Sequence, residues 1–115
     1  MELSIQEVMT LLPSAFLPEK AGNLRADVQF FISGDKGGDW VVMINQGTCS
    51  VIPGISKNPS VEFFAAAQDF LDVLTGKLDA MRAYMSGRLQ VRGNMNLAMR
   101  LTKMFSAESF KSIQN

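Results

Sequence analysis

The sequence predicts an α/β (α+β) fold, a five-stranded sheet combined with helices, because its apolar residues switch repeatedly between a period of two and a period of about 3.6. The switches fall at Gly, Pro and Asn clusters. A length of 115 residues is enough for one core and too short for two, so residues 1–115 are expected to form a single domain.

Ser4 and Glu7 have the spacing of a capping box, in which each satisfies a free backbone donor at a helix start. Ile5, Val8, Met9 and Leu12 follow at helical spacing, and Pro13 and Pro18 disfavour a long continuation. From Leu24 the period becomes two. Leu24, Ala26, Val28, Phe30 and Ile32 alternate with Arg25, Asp27, Gln29 and Ser33, and only Phe31 breaks the pattern. A turn over 34–38 leads into a second strand over 40–44. A hairpin centred on Lys36 would set Ile32, Phe30 and Val28 beside Trp40, Val42 and Ile44, leaving Phe31, Val41 and Met43 on the opposite face.

Asn45-Gln46-Gly47 marks the next turn, and a third strand through Cys49 and Val51 stops at Pro53-Gly54. Residues 53–59 read as a crossing loop. In a fourth strand Val61, Phe63 and Ala65 alternate with Glu62 and Phe64. Phe70, Leu71 and Leu74 return to helical spacing ahead of Gly76, and Asp79 caps a short helix over 80–86 that Gly87 closes. Leu89 and Val91 make the fifth strand. Asn94 starts a last helix whose Leu97, Leu101, Met104 and Phe105 share one face.

Enzymatic chemistry finds few parts here. With no histidine, the chain cannot build a Ser-His-Asp or Cys-His site and lacks the commonest transition-metal ligand. Ser33-Gly34-Asp35-Lys36 has Ser-x-x-Lys spacing, but it falls on a hairpin turn without the accompanying motifs. Gly76-Lys77 is followed by Leu78 where a phosphate loop needs Ser or Thr. The acidic pairs Asp69/Asp72 and Glu2/Glu7 read as helix-face or capping charges. A non-catalytic protein without cofactor or metal is expected. The lone Cys49 fits a small buried hydrophobe in a reducing, cytoplasmic setting, with no secretory leader at the N-terminus. Equal numbers of basic and acidic residues, 11 each, argue against a nucleic-acid partner.

Five of the eight methionines (Met81, Met85, Met95, Met99 and Met104) fall in one 24-residue stretch. Unbranched thioethers adapt to irregular shapes, so the stretch suits either a core or a pocket for several apolar ligands. The series Thr75-Gly76-Lys77, Met85-Ser86-Gly87 and Val91-Arg92-Gly93, within the run from Ala66 to Asn94, strongly resembles the C-terminal signature of the sterol carrier protein family. Gly37-Gly38-Asp39-Trp40 and Gly47-Thr48-Cys49 look like that family's central hairpin and third strand. The resemblance covers residues 24–105.

The resemblance implies that the helices pack on one face of the sheet and enclose an apolar tunnel for a fatty acid, fatty acyl-CoA or sterol-like ligand. Its walls would then comprise Phe30, Ile32, Val42, Ile44 and Phe63 from the sheet, with Phe70, Leu74, Met81 and Met85 from the middle helices. Leu97, Leu101, Met104 and Phe105 would close it from the last helix. Two positions depart from the family: Ala66, where a helix-capping Ser or Thr is frequent, and Ala80, in place of a frequent Pro. The terminal Ser112-Ile113-Gln114-Asn115 lacks a Ser-Lys-Leu-type peroxisomal address.

The implied function is intracellular lipid binding and transfer; the alternative is an accessory module that docks on an enzyme and presents or shields its lipid substrate. Seven basic residues against two acidic ones between Lys77 and Lys111 point to transient contact with an anionic membrane, through Arg88, Arg92 and Lys103. Phe31, Val41 and Met43, joined by Phe64, would form an outer apolar patch for a homodimer or an enzyme partner.

Overall fold

A computed structural model describes residues 4–106. Glu2, Glu108, Lys111 and the terminal tetrapeptide lie outside the described residues. The element order is α1 (Ile5–Ala15), α2 (Pro18–Ala21), β1 (Arg25–Ser33), β2 (Gly38–Asn45), β3 (Thr48–Pro53), β4 (Val61–Ala66), α3 (Ala67–Leu74), α4 (Ala80–Met85), β5 (Leu89–Gly93) and α5 (Met95–Met104).

The capping box forms as the spacing predicts. Glu7 N–H donates to Ser4 Oγ, and Ser4 N–H donates to Glu7 Oε1, both at 3.1 Å. Hydrogen bonding to the Ser4 backbone, and then to its side chain, holds the Glu7 carboxyl below its usual value. Pro13 does not stop α1, which runs on to Ala15 and breaks at Phe16. Pro18 then opens α2 at the position where a missing N–H is harmless, an element the periodicity did not foresee.

The sheet has strand order β3-β2-β1-β4-β5, with β1 and β4 parallel and the other pairs antiparallel. The hairpin register is two residues from the expected one: Phe30 faces Trp40, and Val28 faces Val42. Gly37 N–H donates to the Gly34 carbonyl at 3.1 Å, which centres the turn on Asp35 instead of Lys36. A Cβ at Gly37 would overlap the Ile32 carbonyl oxygen, so the tight turn requires glycine there. A two-residue shift preserves the face of every side chain, and the buried row is the expected one.

Ala26, Val28, Ile32, Val42, Ile44, Val61, Phe63 and Ala65 of that row form one core with the buried faces of α1, α3 and α5. α1 covers the β3 side, whereas α3 and α5 cover β4 and its neighbours. The helices therefore share one face of the mixed sheet.

The outer face is not the bare patch that Phe31, Val41 and Met43 predicted. Val41 is 3% exposed, and Phe31, Met43 and Phe64 are half-buried, with Phe31 and Phe64 stacked at 5.1 Å. The chain between β3 and β4 must cross this face to reach the far side of β1, and Gln29 pins it there. The fully buried Gln29 amide donates to the Gly54 carbonyl at 3.0 Å and the Trp40 carbonyl at 3.2 Å. Its Oε1 accepts from Ser56 N–H at 2.7 Å. Asp27 Oδ2 accepts from Ser56 Oγ at 2.8 Å.

Replacing Gln29 by Met keeps the volume but strands these buried partners. The Gln29→Met variant is expected to lose about 2–4 kcal/mol in urea unfolding, with faster proteolysis within 54–60. Conversely, Ala66 is the N-cap of α3 and supplies no side-chain cap. Ala66→Ser is expected to add about 1 kcal/mol, read as a raised denaturation midpoint.

Candidate functional site

Between the sheet and the helices lies an apolar cavity of about 100 Å³. Each layer contributes for a local reason. The inward row of β1 and its neighbours supplies Val28, Phe30, Val42, Phe63 and Ala65, since alternation brings every second side chain to this side. Phe30 stacks on Phe63 at 5.2 Å and meets Phe70 of α3 edge-on at 5.3 Å, which makes one aromatic wall. Leu74 follows Phe70 one turn later on α3, and Leu101 and Phe105 close the opposite side from α5 and its end. Among the described residues, Asp69 is the one ionisable residue in the lining.

A second space of about 340 Å³, between α4, α5 and β5, is open to solvent. Phe63, Ala80, Leu89, Ala98 and Thr102 border both spaces, so the groove lies directly beside the cavity. Met81, Tyr84, Met95 and Met99 line its outer part. A third, more polar groove of about 560 Å³ runs past Phe31, Phe64 and Arg88 at the end of β1 and β4.

The expected wall residues are thus divided. Phe30, Val42, Phe63, Phe70, Leu74, Leu101 and Phe105 border the cavity. Met81 lies in the groove instead. Ile44, Leu97 and Met104 are buried core residues away from both spaces, and Ile32, also in the core, borders the polar groove. Met85 is 78% exposed, because the six-residue α4 buries only Ala83. Leu12, Val28, Val73 and Ala98 belong to the lining but were not singled out in the sequence. Leu12 and Val28 did stand in apolar rows, which is a signal of burial but not of a cavity.

The basic trio is also split. Arg92 sits opposite Glu62 in the register of β4 and β5 and, by alternation, on the face away from the helices. Arg88 borders the polar groove, and Lys103 borders the methionine-lined one. Ser33 and Lys36 are exposed at the hairpin turn. Among the described residues no group of three or more Cys, Asp or Glu side chains is placed to hold a metal ion, and no helix is long and apolar enough to cross a membrane.

The sequence model of the SCP-2 sterol transfer family matches residues 6–106. The chain belongs to the SCP-2 sterol transfer family. Within that family's reach, sterol carrier protein 2 of Homo sapiens is 38% identical over 71 residues, which cover 62% of this chain and 13% of that protein. Hydroxysteroid dehydrogenase-like protein 2 of Xenopus tropicalis is 30% identical over 108 residues, covering 93% of this chain and 26% of that protein. The chain spans about a quarter or less of the length of these curated relatives. The solution structure of palmitated SCP2L2 from Aedes aegypti has a TM-score of 0.71 at 22% identity, covering 88% of this chain and 93% of that one, and shows the same SCP-2 fold.

Cys49 points to the helix side of β3, paired with Ile44, and burial pushes its thiol up to about 11. A raised value means less thiolate at any lower pH. Cys49 is therefore expected to react with Ellman's reagent about a hundredfold more slowly than an unshifted thiol at pH 8, and the rate should climb as pH rises towards 11.

Proposed function

We propose that this protein binds an apolar lipid, a fatty acyl chain or a sterol-like molecule, and carries it without chemical change. The observation that carries this reading is the apolar cavity bordered by Phe30, Phe63, Phe70 and Leu101, beside an open groove, in a member of a sterol transfer family. Enclosing a hydrocarbon gains about 0.8 kcal/mol per methylene removed from water, and because a cavity of about 100 Å³ takes only a few methylenes, the rest of a long chain would lie in the neighbouring groove of about 340 Å³. The palmitated relative from Aedes aegypti supports an acyl chain as the ligand class.

A second reading has its own support. The frog relative is named as a dehydrogenase-like protein, and the matched region is only 26% of it. In that reading the domain serves an enzyme as a lipid-presenting module, and Phe31 with Phe64 offers a half-buried contact for it.

Fluorescent fatty-acid uptake tests the cavity. Leu101→Glu places a charge in its wall, and Ala98→Phe adds apolar volume where cavity and groove share a border. Both variants are expected to bind at least about tenfold more weakly, while Lys57→Glu on the outer loop binds as the native protein does. Native uptake in a folded Ala98→Phe variant would sink the cavity as the binding site.

A further inference from the structure

The wall of the cavity between sheet and helices is apolar almost throughout. Among the described residues that border it, only Asp69 and Thr102 have polar side chains. The Thr102 hydroxyl donates to the Met99 carbonyl at 2.8 Å, so its proton is already engaged. Asp69 stands half-buried in the first turn of α3, next in the chain to Phe70 of the aromatic wall. On the same helix Asp72 accepts from Gln68 Nε2 at 2.9 Å. No such side-chain bond is made to Asp69 among the described residues. A carboxylate accepts hydrogen bonds and donates none. The lining therefore offers a ligand one acceptor and one negative charge, and among the described residues no Lys or Arg borders the cavity to meet an anion.

We propose that Asp69 selects the polar end of the bound lipid, so that a hydrocarbon ending in a donor, an amine or a hydroxyl, is taken in preference to one ending in a carboxylate. This rests on the carrier reading above. Two like charges at contact distance repel, and apolar surroundings screen them less than water does. A fatty-acid carboxylate at the Asp69 edge of the cavity would face a second carboxylate and find apolar walls for its remaining acceptor sites. A hydroxyl at that edge donates to Asp69, and an ammonium adds charge attraction to the hydrogen bond. The hydrocarbon lies against Phe30, Phe63 and Phe70, which need no polar partner. Asp69 has a structural use as well, because a negative side chain suits the first turn of α3, whose N-cap Ala66 contributes no side-chain bond. That use affects every ligand alike, whereas selection changes sign with the head group.

Decan-1-ol, decylamine and decanoate share a chain length and differ in the head. Each is titrated against the full chain at pH 7 by displacement of N-phenyl-1-naphthylamine, a neutral apolar fluorophore. Relative to the native protein, Asp69→Asn is expected to bind decanoate at least about fivefold more tightly and decylamine at least about tenfold more weakly. Decan-1-ol should change by less than about threefold, since the Asn amide oxygen still accepts from a hydroxyl. Asp69→Glu should keep the native order of heads. Asp72→Asn, on the same helix but outside the lining, should leave all three affinities unchanged.

A uniform loss for all three heads in Asp69→Asn, with the fold intact by circular dichroism, overturns the proposal, because Asp69 would then only support α3. Decanoate that binds the native protein as tightly as decylamine, and is lost on Arg88→Gln, also overturns it. The head would then sit in the polar groove that Arg88 borders. Binding of all three with the same ranking in native and Asp69→Asn protein removes selection by Asp69 and leaves the carrier reading standing. Failure of all three to bind overturns the carrier reading and this proposal with it.

Discussion

The parallel pairing of β1 with β4 is the constraint on which the rest of the molecule depends. A chain that has built β1, β2 and β3 as successive antiparallel neighbours can add β4 beside β1 only by crossing the sheet. It crosses on the outer face, and the cost of burying polar backbone there is offset by Gln29, which supplies a donor and an acceptor to the crossing segment. Ser60 N–H then bonds the Asp27 carbonyl at 2.9 Å, delivering the chain to β4 in register. With the crossing on one side, the other side is left free for the helices.

That one-sided arrangement explains why the interior is not filled. α1 sits over the β3 side, while α3 and α5 approach β4 and β5 from the other, and small residues line the seam between them. Ala65, Ala80 and Ala98 all border the cavity. Side chains of this size leave space where a Leu would have closed it. The aromatic wall of Phe30, Phe63 and Phe70 is rigid, whereas the methionines at the groove are adaptable, so shape is fixed in the cavity and pliable in the groove beside it.

Close approach of backbones does comparable work at the far end of the sheet. Gly93 has a φ of 101°, and a Cβ there would lie 2.7 Å from the Ser60 carbonyl oxygen. The same carbonyl accepts from Asn94 N–H at 3.1 Å, which ties the end of β5 to the start of β4. Asn94 in turn caps α5 through its side chain, accepting from Leu97 N–H at 3.0 Å. The placement of α5 over the cavity thus follows from one glycine and one cap, and these fall in the stretch that carries the family resemblance.

The sequence by itself determined the elements other than α2, because alternation in β1 and β4, the apolar run of β2, the Ser4 and Asp79 caps and the glycines at 76 and 87 are local signals that need no partner. It also determined the buried face of each strand, since a period of two survives even a register error such as the one at the β1–β2 hairpin. Through Thr75-Gly76-Lys77 and its companions it carried the family. It did not determine which apolar residues border a space and which fill the core: Ile44 and Val42 lie on the same face of one strand, yet only Val42 reaches the cavity. Nor did it place the methionines, whose burial depends on whether α4 and α5 turn that side towards a neighbour. Only the tertiary structure decided this, because a cavity is a property of the gap between elements, and no single element's periodicity contains the distance to the next.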